Sequence, residues 1–421
     1  MIGGRGQKTL IPAVNHGVLL CSMRPFDLYL YLNHNRRDTG RTAIASCSAR
    51  RQNAPMGSPA DLLPDFSEDY LTARSRFIRA TSRADWQVVS HPLSAVGPAG
   101  EPLFIDVATA AGVGPAAINT VIVSSGLHGV EGIFGSAVQC ASVERLAQRD
   151  PTAARPRLVF VHVLNPYGFA WLRRCNEENV DLNRNFLAER QSYQGSPDGY
   201  AKLNPMLNHP TRPSPYEFFL FRSLVAILRY GLPTLKRAIA AGQYDFPQGL
   251  FFGGRGPAES TRIVQHQFAG WLGYGGSVIH LDLHTGLGRS GDYQLLADLP
   301  PTPAQAARIR RLFDKDVVAG HQSPSIAYTA RGSISEWCLK YATNRDYNHL
   351  CVEFGTYRPT KVLAALRAEN RAHHWDQRDS QTYRWAKDRL VEMFCPRSPS
   401  WRRRAAGQGV DLIERAIIGL T

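Results

Sequence analysis

From about residue 65 the chain alternates between apolar runs of two periods. EDYLTARSRFIRA, residues 68–80, has apolar positions at helical spacing, whereas EPLFIDVATA at 101–110 alternates like a strand. NTVIVSS (119–125) and RLVFVHVLN (157–165) are short and mostly apolar, as in strands buried on both faces of a sheet. Between them GIFGSAVQCASVERLAQR (132–149) reads as an amphipathic helix. Strand, helix, strand in this order predicts a right-handed crossover in a largely parallel or mixed sheet.

The pattern continues downstream. YEFFLFRSLVAILRY (216–230), PAQAARIRRLFDKDVVA (303–319) and RPTKVLAALRAENRAHH (358–374) read as helices. SVIHLDLHTG (277–286) and HLCVEFGTY (349–357) read as strands, and the Pro/Gly-rich YDFPQGLFFGGRGPAES (244–260) as a loop. No internal repeat interrupts this pattern. The expectation is one α/β domain over 57–395, with a central mixed, largely parallel β-sheet flanked by helices.

The two ends look different. Residues 1–56 lack hydrophobic periodicity and are rich in Arg, Ser and Asn, so they are expected to be disordered or a non-native extension, with Met56 a candidate start. An Arg-rich, acid-poor leader also suits an organelle transit peptide, whereas Asn15 and His16 break the only candidate secretory core. Residues 396–421 are expected to form a basic C-terminal tail with a short helix.

Composition narrows the class. The 421 residues are 43% hydrophobic, which suits a globular core. The formal charge is +14, but the first 55 residues hold +6 of it and the last 26 hold +3. The body is therefore only mildly basic, and SPSWRRR at 398–404 is too short for a nucleic-acid stripe, so no nucleic-acid partner is expected. No apolar run approaches eighteen residues, so no membrane span is expected either. Seven scattered cysteines without CxxC pairs fit a reduced interior and a cytoplasmic location better than a disulfide framework or a thiolate zinc site.

Candidate chemistry sits where strands end. SSGLHGVEGIFGS places His128 and Glu131 three residues apart between a strand and a helix, beside Gly126, Gly129 and Gly132. Alone, HxxE says little, because thirteen histidines in the chain make a chance pair unsurprising. Position adds weight, since sites in open α/β sheets lie beyond the carboxyl ends of strands. Hydrolytic zinc commonly takes two His and one Glu and leaves a position for water. IHLDLHTGLG supplies the second histidine. In a strand His280 and His284 stand roughly 13 Å apart, so one ion reaches only one of them. His284 at the strand end is the ligand candidate, and His280 is expected to be packed or supporting.

A general base is also needed. Glu353 is a carboxylate inside the apolar strand HLCVEFGTY, where an unpaired charge is costly and a site role explains it. RRCNEENVDLNRNF (173–186) adds Arg173, Arg174, Asp181, Asn183 and Arg184, and guanidinium groups suit an oxyanion or a substrate carboxylate.

Taken together, HxxE, DLNRNF, DLHTG and VEFGT, in this order across 100–360, resemble the zinc carboxypeptidase superfamily. That superfamily includes the metallocarboxypeptidases and the aspartoacylase and succinylglutamate desuccinylase-like deacylases. The run of motifs is most similar to a mainly bacterial, carboxypeptidase-like branch of unknown function. The resemblance implies one Zn2+ held by His128, Glu131 and His284, with Glu353 as the base that activates water and protonates the leaving nitrogen. It implies that Asn183 and Arg184 grip a terminal carboxylate and that Asp181 orients His128. Arg174, or Arg173 beside it, then polarises the scissile carbonyl. IAYTARGSISEW (326–337) is similar to the segment whose mobile tyrosine closes over substrate, which makes Tyr328 a substrate-binding candidate; Ser335 falls near the specificity position.

Two departures matter. Digestive carboxypeptidases carry an arginine where this chain has Val130, and residues 186–260 align with little. The expected activity is hydrolysis of an amide bond next to a free carboxylate, in a peptide or an N-acyl amino acid. A non-catalytic metal- or peptide-binding protein is the reading from another class. Glu353 separates them, because binding alone does not call for it.

Overall fold

The computed structural model describes residues 66–217, 219, 241–319 and 330–421. The N-terminal 56 residues, most of the predicted helix at 216–230 and Tyr328 lie outside the described residues. Contacts divide the chain into Met1–Met56 and Gly57–Thr421, and the described residues all belong to the second unit.

Eight strands form one sheet: β1 (Gln87–Val96), β2 (Pro102–Ala110), β3 (Thr120–Ser125), β4 (Arg157–His162), β5 (Ser277–Gly286), β6 (Tyr293–Ala297), β7 (Val317–Ala319) and β8 (Asp346–Gly355). Their order is β1-β2-β4-β3-β5-β8-β6-β7. The central β4-β3-β5-β8 set is parallel, while β1, β2 and β6 join their inner neighbours antiparallel. Every residue of β3 is buried, as its apolar run predicts for a strand covered on both faces. The predicted crossover is present: β3 leads through a helix into its parallel neighbour β4.

The longer helices are α1 (Tyr70–Arg83), α2 (Gly132–Leu146), α3 (Glu259–Leu272), α4 (Pro303–Phe313), α5 (Ile334–Tyr341), α6 (Pro359–Trp375), α7 (Gln381–Phe394) and α8 (Pro399–Gly419). α2 is buried on all sides from Gly132 to Val143 rather than amphipathic. Small side chains make this possible. A Cβ at Gly135 would sit 2.4 Å from the Ser125 Cβ of β3, and one on Gly409 of α8 would sit 2.9 Å from Val138. α2 is therefore sandwiched between the sheet and α8. The predicted helix 303–319 stops at Phe313, where Asp314 turns with a positive φ, and its end pairs as β7.

The C-terminal residues are not a tail. α8 runs 21 residues and buries Trp401, Ala405, Val410, Ile413 and Ile417 at helical spacing. The Trp401 indole N–H donates to the Gly355 carbonyl at 2.9 Å, which ties the helix to the end of β8. Glu414 takes the guanidinium of Arg145 at 2.8 Å and that of Arg149 at 2.9 Å. The basic residues are thus the outer face of a core helix. No described helix is long and apolar enough to cross a membrane.

Register sets up the site. Ser125 of β3 pairs with Leu283 of β5, and His284 of β5 pairs with Glu353 of β8. Three adjacent parallel strands, β3, β5 and β8, therefore end together. The chain leaves β3 for β4 on one side while β5 lies on the other, which opens the crevice expected at such a reversal.

Trp401→Ala is expected to lower stability by about 3–5 kcal/mol through a core cavity and a lost hydrogen bond. Urea denaturation measures it. A change under about 0.5 kcal/mol, typical of surface positions, would contradict a core role for α8.

Candidate active site

The loop after β3 is shaped by glycines and neighbouring backbone. Gly126 turns with φ +63, and a Cβ on Gly129 would lie 2.1 Å from Gly168. The Gly129 N–H donates to the Arg174 carbonyl at 3.2 Å, and that of Val130 to the Arg173 carbonyl at 2.7 Å. A single turn, Gly129–Glu131, then opens into α2. His128 and Glu131 consequently face one another at the carboxyl end of β3.

Glu131 lies between two imidazoles. Its Oε1 is 2.9 Å from His128 Nδ1 and its Oε2 is 3.0 Å from His284 Nδ1. The three side chains are almost wholly buried, and their ligating atoms all lie within 4.8 Å of one another. Burial pushes the Glu131 carboxyl up, but the two histidines outweigh it and hold it at about 2. Each far ring nitrogen has its own carboxylate: His284 Nε2 lies 2.8 Å from Asp282 Oδ2, and His128 Nε2 lies 3.4 Å from Asp181 Oδ1. His128 Nε2 and Glu131 Oε2 are buried without a well-formed hydrogen bond. Two Nδ1 atoms and a carboxylate, each imidazole backed by another carboxylate, are a donor set that could hold a divalent metal with a position left open.

Glu353 stands beside this cluster on β8. Its Oε1 accepts the Leu287 N–H at 2.7 Å. Burial first, and then the charge of Glu131, push its carboxyl up to about 7. That is a suitable value for a group that takes and returns a proton.

Asp181 joins the arginine loop to the cluster. It accepts the Arg174 Nε–H at 2.9 Å and the Asn183 backbone N–H at 3.1 Å. Burial opposes its charge, but Arg174 and Arg184 hold its carboxyl well below the usual range. The charge of Glu131, after that of Asp181, also favours the Arg174 cation. Asn183 is half-buried, and its Oδ1 accepts the Ile334 N–H at the start of α5 at 3.2 Å. Arg184 is buried beneath Gly242, where a Cβ would lie 2.5 Å from its Cδ. Ser335 is buried in the first turn of α5.

Arg173 is a correction. The structure commits it to a buried ion pair instead: it is fully buried, with Nε 2.9 Å from Glu369 Oε1 and a terminal nitrogen 2.8 Å from Asn179 Oδ1. Lys387 completes the pair at 2.6 Å from the same Glu369 oxygen. Charge alone could not distinguish the two adjacent arginines, since Glu369, the partner of Arg173, lies 196 positions away. His280 is packed, as expected, and hydrogen-bonded to Ser124 and Tyr347. Asp282 joins the site as an addition, although strand alternation already puts it on the face of His284. Cys351 is another, its sulfur lying within 4.8 Å of ligating atoms of His284 and Glu353.

The sheet order and register define an α/β fold that gathers the candidate residues at the carboxyl ends of its parallel strands. The chain belongs to the family described as a protein of unknown function (DUF2817), whose model matches residues 66–408. Among solved structures it is similar to carboxypeptidase A from Helicoverpa armigera, at 12% identity over 82% of this chain and 73% of that one, with a TM-score of 0.43. It is also similar to bovine thrombin-activatable fibrinolysis inhibitor in complex with tick carboxypeptidase inhibitor, at 10% identity over 82% and 95% and a TM-score of 0.44. For murein-tripeptide amidase from Escherichia coli O157 the values are 16%, 69%, 93% and 0.34. No curated protein matches the chain.

Glu369→Gln is expected to cost about 3–5 kcal/mol, because it leaves Arg173 and Lys387 buried without their carboxylate. The pH dependence comes from Glu369, which its cations hold at about 2 against an ordinary 4.5 once burial is overcome. A lowered carboxyl stabilises the fold above its unfolded value and loses that contribution as pH falls toward the folded one. Urea midpoints of the parent should therefore drop between pH 4.5 and 2, with a smaller drop in the variant. Equal midpoints at pH 7 would contradict the pairing.

Proposed function

We propose that this chain is a zinc-dependent hydrolase of the metallocarboxypeptidase type, cleaving an amide bond next to a free carboxylate. The observation that supports this most is the convergence of His128, Glu131 and His284 within 4.8 Å, beside a buried Glu353 in register with His284. These three residues would hold one Zn2+. Bound there, zinc supplies a Lewis acid and a water acidic enough to ionise near neutral pH.

The protein's own groups have separate tasks. With Oε1 fixed by the Leu287 N–H, Glu353 takes a proton at Oε2 and returns it to the leaving nitrogen. Arg174, anchored to Asp181 through Nε, offers its terminal nitrogens to the scissile carbonyl oxygen. Asp181 orients His128 as well, so one carboxylate sets both a ligand and a carbonyl donor. Asn183 and Arg184 meet the free carboxylate, and Tyr328 contributes a hydroxyl to bound substrate. Val130 is fully buried and apolar, so the position between the ligands offers no charge to a long peptide. That supports a compact N-acyl amino acid as the second substrate reading.

Glu353→Gln is expected to retain zinc while losing at least about 10²–10⁴-fold in kcat on whichever of a panel of peptides and N-acyl amino acids the parent cleaves. Turnover in the variant equal to the parent's would remove Glu353 from the mechanism. His128→Ala and His284→Ala should each lose the metal, measured by equilibrium dialysis against Zn2+. Unchanged retention in both would contradict the ligand assignment.

A further inference from the structure

Behind His284 the buried polar side chains form one continuous hydrogen-bonded line. Asp282 receives His284 Nε2 at 2.8 Å on Oδ2 and the Ser124 hydroxyl at 2.6 Å on Oδ1. Ser124 Oγ lies 2.8 Å from His280 Nε2, and His280 Nδ1 lies 2.7 Å from the Tyr347 hydroxyl. Ser124, His280 and Asp282 are wholly buried and Tyr347 nearly so. The line crosses β3, β5 and β8, three neighbouring strands of the sheet.

Its direction is set by counting hydrogens. A carboxylate only accepts, and a serine hydroxyl has one hydrogen to give. Ser124 gives that hydrogen to Asp282, so His280 must donate to Ser124 through Nε2–H. A neutral ring with Nε2 protonated accepts at Nδ1, and Tyr347 O–H fills that place. By the same rule His284 donates Nε2–H to Asp282. Its Nδ1 is then the nitrogen turned toward Glu131 Oε2, 3.0 Å away, and the one that would meet a metal.

Packing does not require this line. On the opposite face of β5, Ile279, Leu281 and Leu283 fill the core with apolar side chains, and buried ionic groups are often no more stabilising than such a filling. What the line does is fix which nitrogen of His284 is free and how the ring is turned.

We propose that Asp282, Ser124, His280 and Tyr347 are positioning residues, which set the metal affinity of the centre by holding His284 in one tautomer and orientation. This rests on the zinc reading above, and the test separates the two. Parent protein, Asp282→Asn, Ser124→Ala and Tyr347→Phe are titrated with Zn2+ against a chromophoric chelator. Their Co2+-loaded forms are compared by visible spectroscopy, and urea midpoints are taken in excess chelator. Asp282→Asn is expected to weaken Zn2+ binding about 10–100-fold and to shift the Co2+ bands. Ser124→Ala should weaken binding less, and Tyr347→Phe a few-fold. Tyr347→Phe keeps the ring and its core volume, so it carries the test even where Asp282→Asn fails to fold. A purely structural line would lower the urea midpoints and leave affinity and spectrum unchanged, and that result overturns the proposal while the zinc reading stands. A parent that binds neither Zn2+ nor Co2+ overturns both.

Discussion

A carboxylate buried between two imidazoles holds the architecture of the site together. Glu131 has almost no contact with solvent, and desolvating its charge is costly unless cations or hydrogen-bond donors face it. His128 and His284 face its two oxygens, one each, and only a fold that ends β3 and β5 side by side can bring them there. Each histidine in turn faces away toward an aspartate, Asp181 or Asp282. The charges are arranged in layers around one small volume, and disturbing any layer changes the charge balance of the next.

The packing around this volume serves the same geometry. Close approach of α2 to β3, through Gly135 and Ser125, fixes where the helix bearing Glu131 begins. α8 backs α2 from the far side, so the C-terminal residues support a site from which they are distant in sequence. The Arg173–Glu369–Lys387 cluster anchors the segment whose carbonyls receive the loop N–H groups of Gly129 and Val130. Arg173 therefore acts on the loop through its backbone, whereas the side chain of its neighbour Arg174 pairs with Asp181.

Local signals make much of this legible. The apolar runs of β3, β4, β5 and β8 have the length and periodicity of buried strands, and functional residues at strand ends are expected from the geometry of parallel sheets. His128, Glu131, His284 and Glu353 sit in short motifs whose order is specific. Asp181 is legible for the same reason. What escapes depends on contacts far along the chain. Arg173 and Arg174 are identical side by side, and only Glu369 on α6 tells them apart. The polar Ser136 and Gln139 of α2 look like an exposed face, whereas they hydrogen-bond to His162 and to the Val123 and Val161 carbonyls of the sheet. In α8 itself the arginines suggest a tail, whereas Trp401, Val410, Ile413 and Ile417, at helical spacing, mark a core face. Strands β1 and β6 are short or broken by polar residues, and their pairing partners define them.

Zinc held by Glu131 and the two histidines is the premise of every chemical role assigned to the site. Elemental analysis of purified protein beside Glu131→Ala puts that premise to the test. About one zinc per chain in the parent, lost in the variant, is the expected result. Absence of metal from the parent even after Zn2+ is supplied, with the fold intact, would contradict it.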